Sequence, residues 1–259
     1  MLSGRFALKK KLPRIETGQR DVLEPISSFS MAVVHPEPVS EDFNIVLLGS
    51  FNPAIFHPEW FVRHGLFSED ALETAKIDAI TRDFAQFSLK SMRLTCDDAR
   101  LTIAVASMAH VEMLFDALLG MLNLLSHLPI TAVGMNNSAV FHLDSEDRWH
   151  RIGHQLAPKD PVWNLLCEKP GMQSLSIQSP VMWRHPLLEN LTVHPILAMN
   201  PHHPAINVKT NLHFPIPSKP DNEPALTGTE YVAAFAKEMW KHATHRSRAV
   251  ATTIFETIP

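Results

Sequence analysis

The segment Asn44–Phe51 reads NIVLLGSF and indicates the start of the folded body. The five residues from Ile45 to Gly49 include no polar side chain, which is typical of a strand that is buried on both faces. The pair Asn52-Pro53 follows directly and ends the strand, because a residue before proline and the proline itself both disfavour continued pairing. We therefore expect the body of the protein to open with a buried strand.

Helix and strand patterns alternate after this strand. The first half predicts a short helix from Pro58, a helix capped by Ser68, strands at Phe84–Leu94 and Leu101–Ala106, a helix at His110–Ser126 and a strand at Pro129–Phe141. Leu118 and Leu122 are expected on the core side of the long helix. The order β-α-β-β-α-β predicts a ferredoxin-like first half.

The second half predicts helices, then three antiparallel strands and a long C-terminal helix. The strands are expected at Met172–Val181, Leu191–Ala198 and Ala205–Phe214. Thr227 and Glu230 have the spacing of a capping box, which opens a final helix that could reach Ile258. The predicted fold class is α+β, with one domain over residues 43–259 built from two packed halves, 43–143 and 144–259.

Composition predicts a globular protein of the cytoplasm. The chain has 259 residues, 45% of them hydrophobic and 19% charged, which excludes wholesale disorder. No apolar run approaches the ~18 residues of a membrane span, so no membrane partner is expected. Its two cysteines cannot form a disulfide framework and fit a reducing compartment.

Residues 1–42 are interpreted as a basic N-terminal extension that contains prolines. The first 20 residues carry a net charge of +5, to which Lys9, Lys10, Lys11 and Arg14 contribute, while the remaining 239 residues carry −9. The extension also holds several apolar side chains, so we expect it to pack along its own body or along a partner. Its removal should leave the core folded.

The strongest candidate metal site consists of His142, Asp144, His150 and His154. His150 and His154 are four residues apart on a predicted helix, so both imidazoles lie on one helical face, and three histidines with a carboxylate could hold Zn²⁺. Fifteen histidines make such a spacing common by chance, and Trp149 and Ile152 are expected to form the core face, which would leave the histidines on the rim.

Other catalytic patterns are weak. The chain has no phosphate-binding glycine loop, no G-x-S-x-G and no H-E-x-x-H. Glu112 and Asp116 could face a cleft, but they are better explained as the solvent-facing stripe of a buried helix. Acidic neighbours should make Cys96 a poor nucleophile, and Cys167 is expected to be a buried apolar side chain. The five tryptophans, Trp163 among them, are expected to be core or interface anchors.

Several segments carry a resemblance to other proteins: Asn44–Trp60 (NIVLLGSFNPAIFHPEW), Pro129–Val140, Trp149–Pro158, Lys169–Met172, Ala205–Phe214 and the closing helix with His245 and Phe255. Over residues 44–257 the chain resembles an uncharacterised, sporadically distributed bacterial family of about this size. The resemblance brings no catalytic motif. It implies a bacterial origin and a gene context of mobile or defence-related clusters.

These observations favour a non-catalytic interaction subunit or adaptor in a larger assembly, with no cofactor. Its partner would be another protein or a second copy, with nucleic acid reached only indirectly. Candidate contact residues are the N-terminal cations together with Lys237, Lys241 and Arg246 of the final helix. Two alternatives remain open: a metal-dependent hydrolase or nuclease built on the four metal candidates, and a small-molecule sensor that uses a cleft between the halves.

Overall fold

The computed structural model describes residues 36–196, 204–217 and 227–258. The chain separates into two units, Met1–Val34 and His35–Pro259. The first unit lies outside the described residues, and so do Lys9, Lys10, Lys11 and Arg14. Within the described ranges, no helix is both long enough and apolar enough to cross a membrane.

The body is an α+β structure, as the sequence predicts. Its strands are β1 (Ser40–Gly49), β2 (Lys76–Ile80), β3 (Ala85–Leu89), β4 (Met92–Cys96), β5 (Arg100–Val105), β6 (Ile130–His142), β7 (Leu175–Met182), β8 (Pro186–Ile196) and β9 (Ala205–Pro215). Its helices are α1 (Pro58–Arg63), α2 (Val111–Leu124), α3 (Glu146–Leu156), α4 (Val162–Leu166) and α5 (Gly228–Thr257). Short 3₁₀ turns cover Pro53–Ile55, Glu69–Thr74 and Met108–His110.

The nine described strands form one sheet in the order β2-β3-β4-β5-β1-β6-β9-β8-β7. Every neighbouring pair in this order is antiparallel. β1 is the central strand, and its Asn44 lies opposite Ala104 of β5 and Asn136 of β6. Both predicted halves of the chain therefore contribute to one continuous sheet.

The ferredoxin-like prediction for the first half is not confirmed. In a split βαβ unit, two parallel strands joined by a helix lie on either side of a third strand. Here β2, β3, β4 and β5 instead follow one another through the sheet as an antiparallel meander. The segment predicted as one strand, 84–94, is the hairpin β3–β4, which turns at Lys90 with a φ of 51°. β2 adds a further strand where a helix was expected to end, so the first half has six strands instead of four.

One face of the sheet carries the core. Along β1, Phe43, Ile45 and Leu47 are fully buried under the helices, while Asn44 and Val46 on the opposite face are only partly covered. The expectation of a strand buried on both faces is therefore wrong for β1. An antiparallel sheet needs only one covered face, and helices α2 and α5 supply that cover.

Helix α5 confirms the sequence prediction at both ends. The Thr227 side chain accepts a hydrogen bond from the Glu230 backbone N–H at 3.3 Å, and the Glu230 carboxylate accepts one from the Thr227 N–H at 2.6 Å, which completes the capping box. With 30 residues the helix is about 45 Å long. Val232 and Phe235 join one hydrophobic cluster, and Ala251 and Ile254 join a second.

A buried polar belt separates the two clusters. The Glu41 carboxylate on β1 accepts a hydrogen bond from the Asn137 amide at 3.0 Å and another from Arg248 Nε at 2.9 Å. The Ser247 hydroxyl bonds to Asn137, whose Oδ1 also accepts the Ser247 backbone N–H at 3.2 Å. Arg248 also contacts Glu37 at 3.1 Å. Glu37 and Glu41, assigned to the extension, therefore pack on the body.

A second buried carboxylate lies on β8. Arg246 of α5 donates two hydrogen bonds to Glu189, at 2.7 and 2.8 Å, and the His242 ring lies 3.3 Å away. Burial raises the pKa of Glu189, but the bonds from His242 and Arg246 outweigh it, and the pKa falls to about 2. α5 is therefore tied to β1 and β8 by separate ion pairs.

A ladder of side-chain amides crosses the open face. Gln178 donates to Asn190 at 2.9 Å, Asn190 to Asn211 at 3.0 Å, Asn211 to Asn136 at 2.7 Å, and Asn136 to Asn44 at 2.8 Å. The five residues lie directly opposite one another on β7, β8, β9, β6 and β1. Since cross-strand pairs fix strand register, this ladder specifies the register on the face opposite the residues buried under the helices.

Leu118→Ala should lower the free energy of unfolding by about 2–5 kcal/mol, because Leu118 is fully buried in the first cluster and truncation leaves a cavity. The control is Leu124→Ala on the same helix, where the leucine is 41% exposed. Urea titration of the two variants measures the difference. Equal effects would contradict the assigned core face of α2.

Glu189→Gln should lower the free energy of unfolding at pH 7 by about 3 kcal/mol, since a depressed pKa stabilises the fold above the unfolded pKa. The stabilisation is lost as the pH falls from about 4.5 towards 2. The wild type and the variant should therefore converge in stability over that range. Glu238→Gln, which removes an exposed pair with Arg184, is the control and should have a much smaller effect. A pH-independent difference at Glu189 would contradict the assignment.

Candidate binding surface at helices α3 and α4

Helix α3 is fixed to the end of α5. Its N-cap Ser145 accepts a hydrogen bond from the Arg148 backbone N–H at 3.2 Å. Ile152 is buried in the second hydrophobic cluster. Arg148 donates to the Phe255 carbonyl at 3.2 Å, and its guanidinium lies 5.0 Å from the centre of the Phe255 ring. These contacts hold α3 against the last two turns of α5.

The structure brings together two of the four metal candidates. His150 and His154 have stacked rings with centroids 6.5 Å apart on α3. Asp144 instead lies 3.6 Å from Arg148, and His150 lies 3.6 Å from Glu146, while His142 ends β6. Among the described residues, no three His, Cys, Asp or Glu side chains form a group that could hold a metal. The metal hypothesis gains no support from this geometry.

A pocket of about 440 Å³ lies beside α3 and contains both histidines in its lining. Its apolar wall is formed by Trp149, Pro170, Met172 and Pro195. Its polar wall is formed by His150, His154, Lys159, Asn164, Glu168 and Lys169, and the glycines Gly153 and Gly171 complete it. The volume falls in the range of small-molecule sites, which is about 300–1,000 Å³.

Lys159 is a buried cation that ends helix α3. Its ammonium donates to the carbonyl of Gly153 at 3.3 Å and to the carbonyl of Ala157. A positive charge at a helix C-terminus satisfies carbonyls without intrahelical partners and opposes the negative end of the helix dipole. Lys159 therefore fixes the floor of the pocket.

Helix α4 exposes an apolar surface, which we call the α4 patch and which consists of Val162, Trp163, Leu165 and Leu166. These side chains are 53%, 53%, 83% and 71% exposed, and none of the five residues of the helix is buried. Together they present on the order of 400 Å² of apolar surface, a size at which patches on monomers are often functional. Cys167, predicted to be buried, is also exposed.

The sequence shows the α4 patch only indirectly. The sequence predicts Trp163 as a core or interface anchor and Cys167 as a buried side chain, and it gives no direct sign that the run VWNLL is exposed. A five-residue helix next to prolines has little surface with which to reach a core, and this brevity is the signal that could have indicated exposure.

Of the three α5 cations predicted to contact a partner, two are exposed and one is bound to a buried carboxylate. Lys237 and Lys241 are exposed. Arg246 is instead committed to the buried Glu189. Its charge therefore stabilises the fold and is not free for a partner.

The other candidate catalytic groups have structural roles. Burial, with a smaller contribution from Asp97, raises the pKa of the Cys96 thiol to about 12. At this pKa the thiol is a poor nucleophile. Glu112 accepts a hydrogen bond from the Trp240 indole at 3.1 Å, which links α2 to α5.

No family model matches the sequence, and no curated protein matches it.

Proposed function

We propose that this protein is a non-catalytic interaction subunit of a larger bacterial assembly and that it binds a protein partner through the α4 patch. The observation that carries the proposal is the exposure of four large apolar side chains on a helix with no buried residue. Soluble proteins rarely keep such a patch in water unless it meets a partner.

The energetics favour an anchor of this kind. Removing on the order of 400 Å² of apolar surface from water stabilises a complex by about 10 kcal/mol before the costs of association. Those costs are estimated at about 4–15 kcal/mol, so the patch can anchor a complex but needs polar contacts around it. Trp163 is the natural centre, because tryptophan is enriched among the residues that dominate binding energy.

The surroundings of the patch suit a preformed surface. The preceding helix, α3, is fixed to α5 by Arg148 and Ile152, and Lys159 closes its C-terminus. A rigid support lowers the entropy lost on binding. Independently of the patch, the exposed Lys237 and Lys241 and the basic N-terminal segment provide positive charge that would steer an acidic partner.

The cellular setting belongs to the same proposal. The resemblance to a sporadically distributed bacterial family supports a cytoplasmic protein encoded in a mobile or defence-related cluster. The hydrolase alternative would need His142 and Asp144 to approach His150 and His154, and Asp144 is engaged with Arg148. The sensor alternative assumes a cleft between the two halves, but both halves belong to one sheet, and the pocket beside α3 is lined by residues of the second half.

The test removes the apolar surface while keeping helix propensity, in the double variant Leu165→Gln/Leu166→Gln. The tagged full-length chain is expressed with its neighbouring genes, and stoichiometric companions are measured after purification. The wild type should retain a companion protein, and the variant should lose it at an unchanged melting temperature.

The matched control is Leu124→Gln/Met182→Gln, which removes two exposed apolar side chains outside the α4 patch. This control should retain the companion. A companion bound equally by both double variants, or a wild-type chain that purifies alone and monomeric, would count against the proposal.

A further inference from the structure

We propose that the pocket beside α3 binds a small molecule that has a flat ring and an anionic group. The inference goes beyond the protein–protein contact, because it concerns a different surface of the same region. It stands on the shape of the cavity, on a glycine inside α3 and on the charges of the lining.

Gly153 is the first indication. It lies in the interior of α3, where glycine is less stable than alanine by about 0.5–1 kcal/mol. A Cβ placed there would meet nothing within 4 Å, so no neighbouring group requires the missing side chain. Its backbone is not in the left-handed region. The missing side chain therefore leaves open space in the pocket, whose lining includes Gly153.

The apolar wall fits a flat ring. The indole of Trp149 and the side chains of Met172 and Pro195 line the space. The indole N–H of Trp149 is buried and has no hydrogen-bond partner within the described part of the chain. Because this nitrogen has almost no accessible surface, the indole offers the pocket apolar ring surface and not a hydrogen-bond donor.

The polar wall fits an anion. His150 and His154 stack on one face of α3, and Lys169 adds a cation, whereas Glu168 is the acidic side chain of the lining. The C-terminal end of a helix disfavours anions, but the Lys159 ammonium bonded to the Gly153 and Ala157 carbonyls opposes that effect. Nitrogen donors of this kind bind carboxylate and phosphate groups alike.

The size of the pocket limits the ligand. At about 440 Å³ it accommodates a molecule of the size of an aromatic acid or a mononucleotide. These two sources share the chemistry of a ring with an anionic group. The experiment therefore uses one probe of each kind, with its uncharged counterpart.

Isothermal titration of the full-length chain compares indole-3-acetate with indole and adenosine monophosphate with adenosine. At least one anionic probe should bind about tenfold or more tightly than its neutral counterpart. The probe that binds identifies whether the ligand is a carboxylate or a phosphate. Absence of binding by both anionic probes at millimolar concentration, or equal binding of the neutral counterparts, would overturn the proposal.

Gly153→Leu is the decisive variant, because leucine improves helix propensity and fills the open space. It should weaken probe binding by about tenfold or more while the melting temperature holds or rises. Gln155→Leu, an exposed position on the same helix outside the pocket lining, is the control and should bind as the wild type does. Unchanged binding by Gly153→Leu would contradict the site.

The two proposals can fail separately. Leu165→Gln/Leu166→Gln changes residues that do not line the pocket, so it should leave probe binding unchanged even where it abolishes the companion protein. Loss of probe binding in that variant would show that the probe sits on the α4 patch instead, and would overturn the pocket assignment.

Discussion

Two buried carboxylates, Glu41 on β1 and Glu189 on β8, form ion pairs with arginines of helix α5. The position of α5 on the sheet depends on these two ion pairs. A charge taken out of water costs several kcal/mol unless a partner compensates it. Arg248 compensates Glu41, and Arg246 compensates Glu189. The two carboxylates lie three strands apart in the sheet, since β6 and β9 separate β1 from β8. A shift of α5 that separates either pair would leave that carboxylate without its arginine. The ion pairs therefore specify the register of the helix, while the apolar clusters on either side supply most of the burial.

This docking has consequences for both ends of the molecule. The N-terminal turns of α5 pack with α2 over the first cluster. Its last turns hold α3 through Phe255 and Ile254, and α4 follows α3 in the chain. The pocket beside α3 is thus attached to α5 through α3, and α4, which has no buried residue, follows α3 in the chain. The fixed position of α3 gives the pocket the support that a preorganised binding site requires.

The sequence predicts elements whose signals are local. The capping box at Thr227 and Glu230 locates the start of α5, and the apolar period of α2 places Leu118 and Leu122 in the core. The α+β class follows from the same patterns. The pocket histidines were also recognisable as a pair on one helical face, although their chemistry was not.

What the sequence does not show depends on partners that are distant along the chain. Glu41 lies in a stretch interpreted as an extension, and the residues that bond to it in the interior, Asn137, Ser247 and Arg248, are distant in sequence. The amide ladder joins Asn44 to Asn211 through Asn136, so no local period could indicate it. The strand predicted over 84–94 is a hairpin that reverses at Lys90, where φ is positive. Buried side chains alternate with more exposed ones in both strands of the hairpin, so the alternation alone does not reveal the reversal.

The central claim, that buried carboxylate pairs specify the docking of α5, is tested most directly by a double-mutant cycle on Glu41 and Arg248. The free energy of unfolding is measured in urea for Glu41→Gln, Arg248→Met and the double variant. Each single change should cost about 2–4 kcal/mol, and the double variant should cost less than the sum by at least about 1 kcal/mol, because removing both partners leaves no unpaired charge. Single effects that add to within about 0.5 kcal/mol would contradict the account.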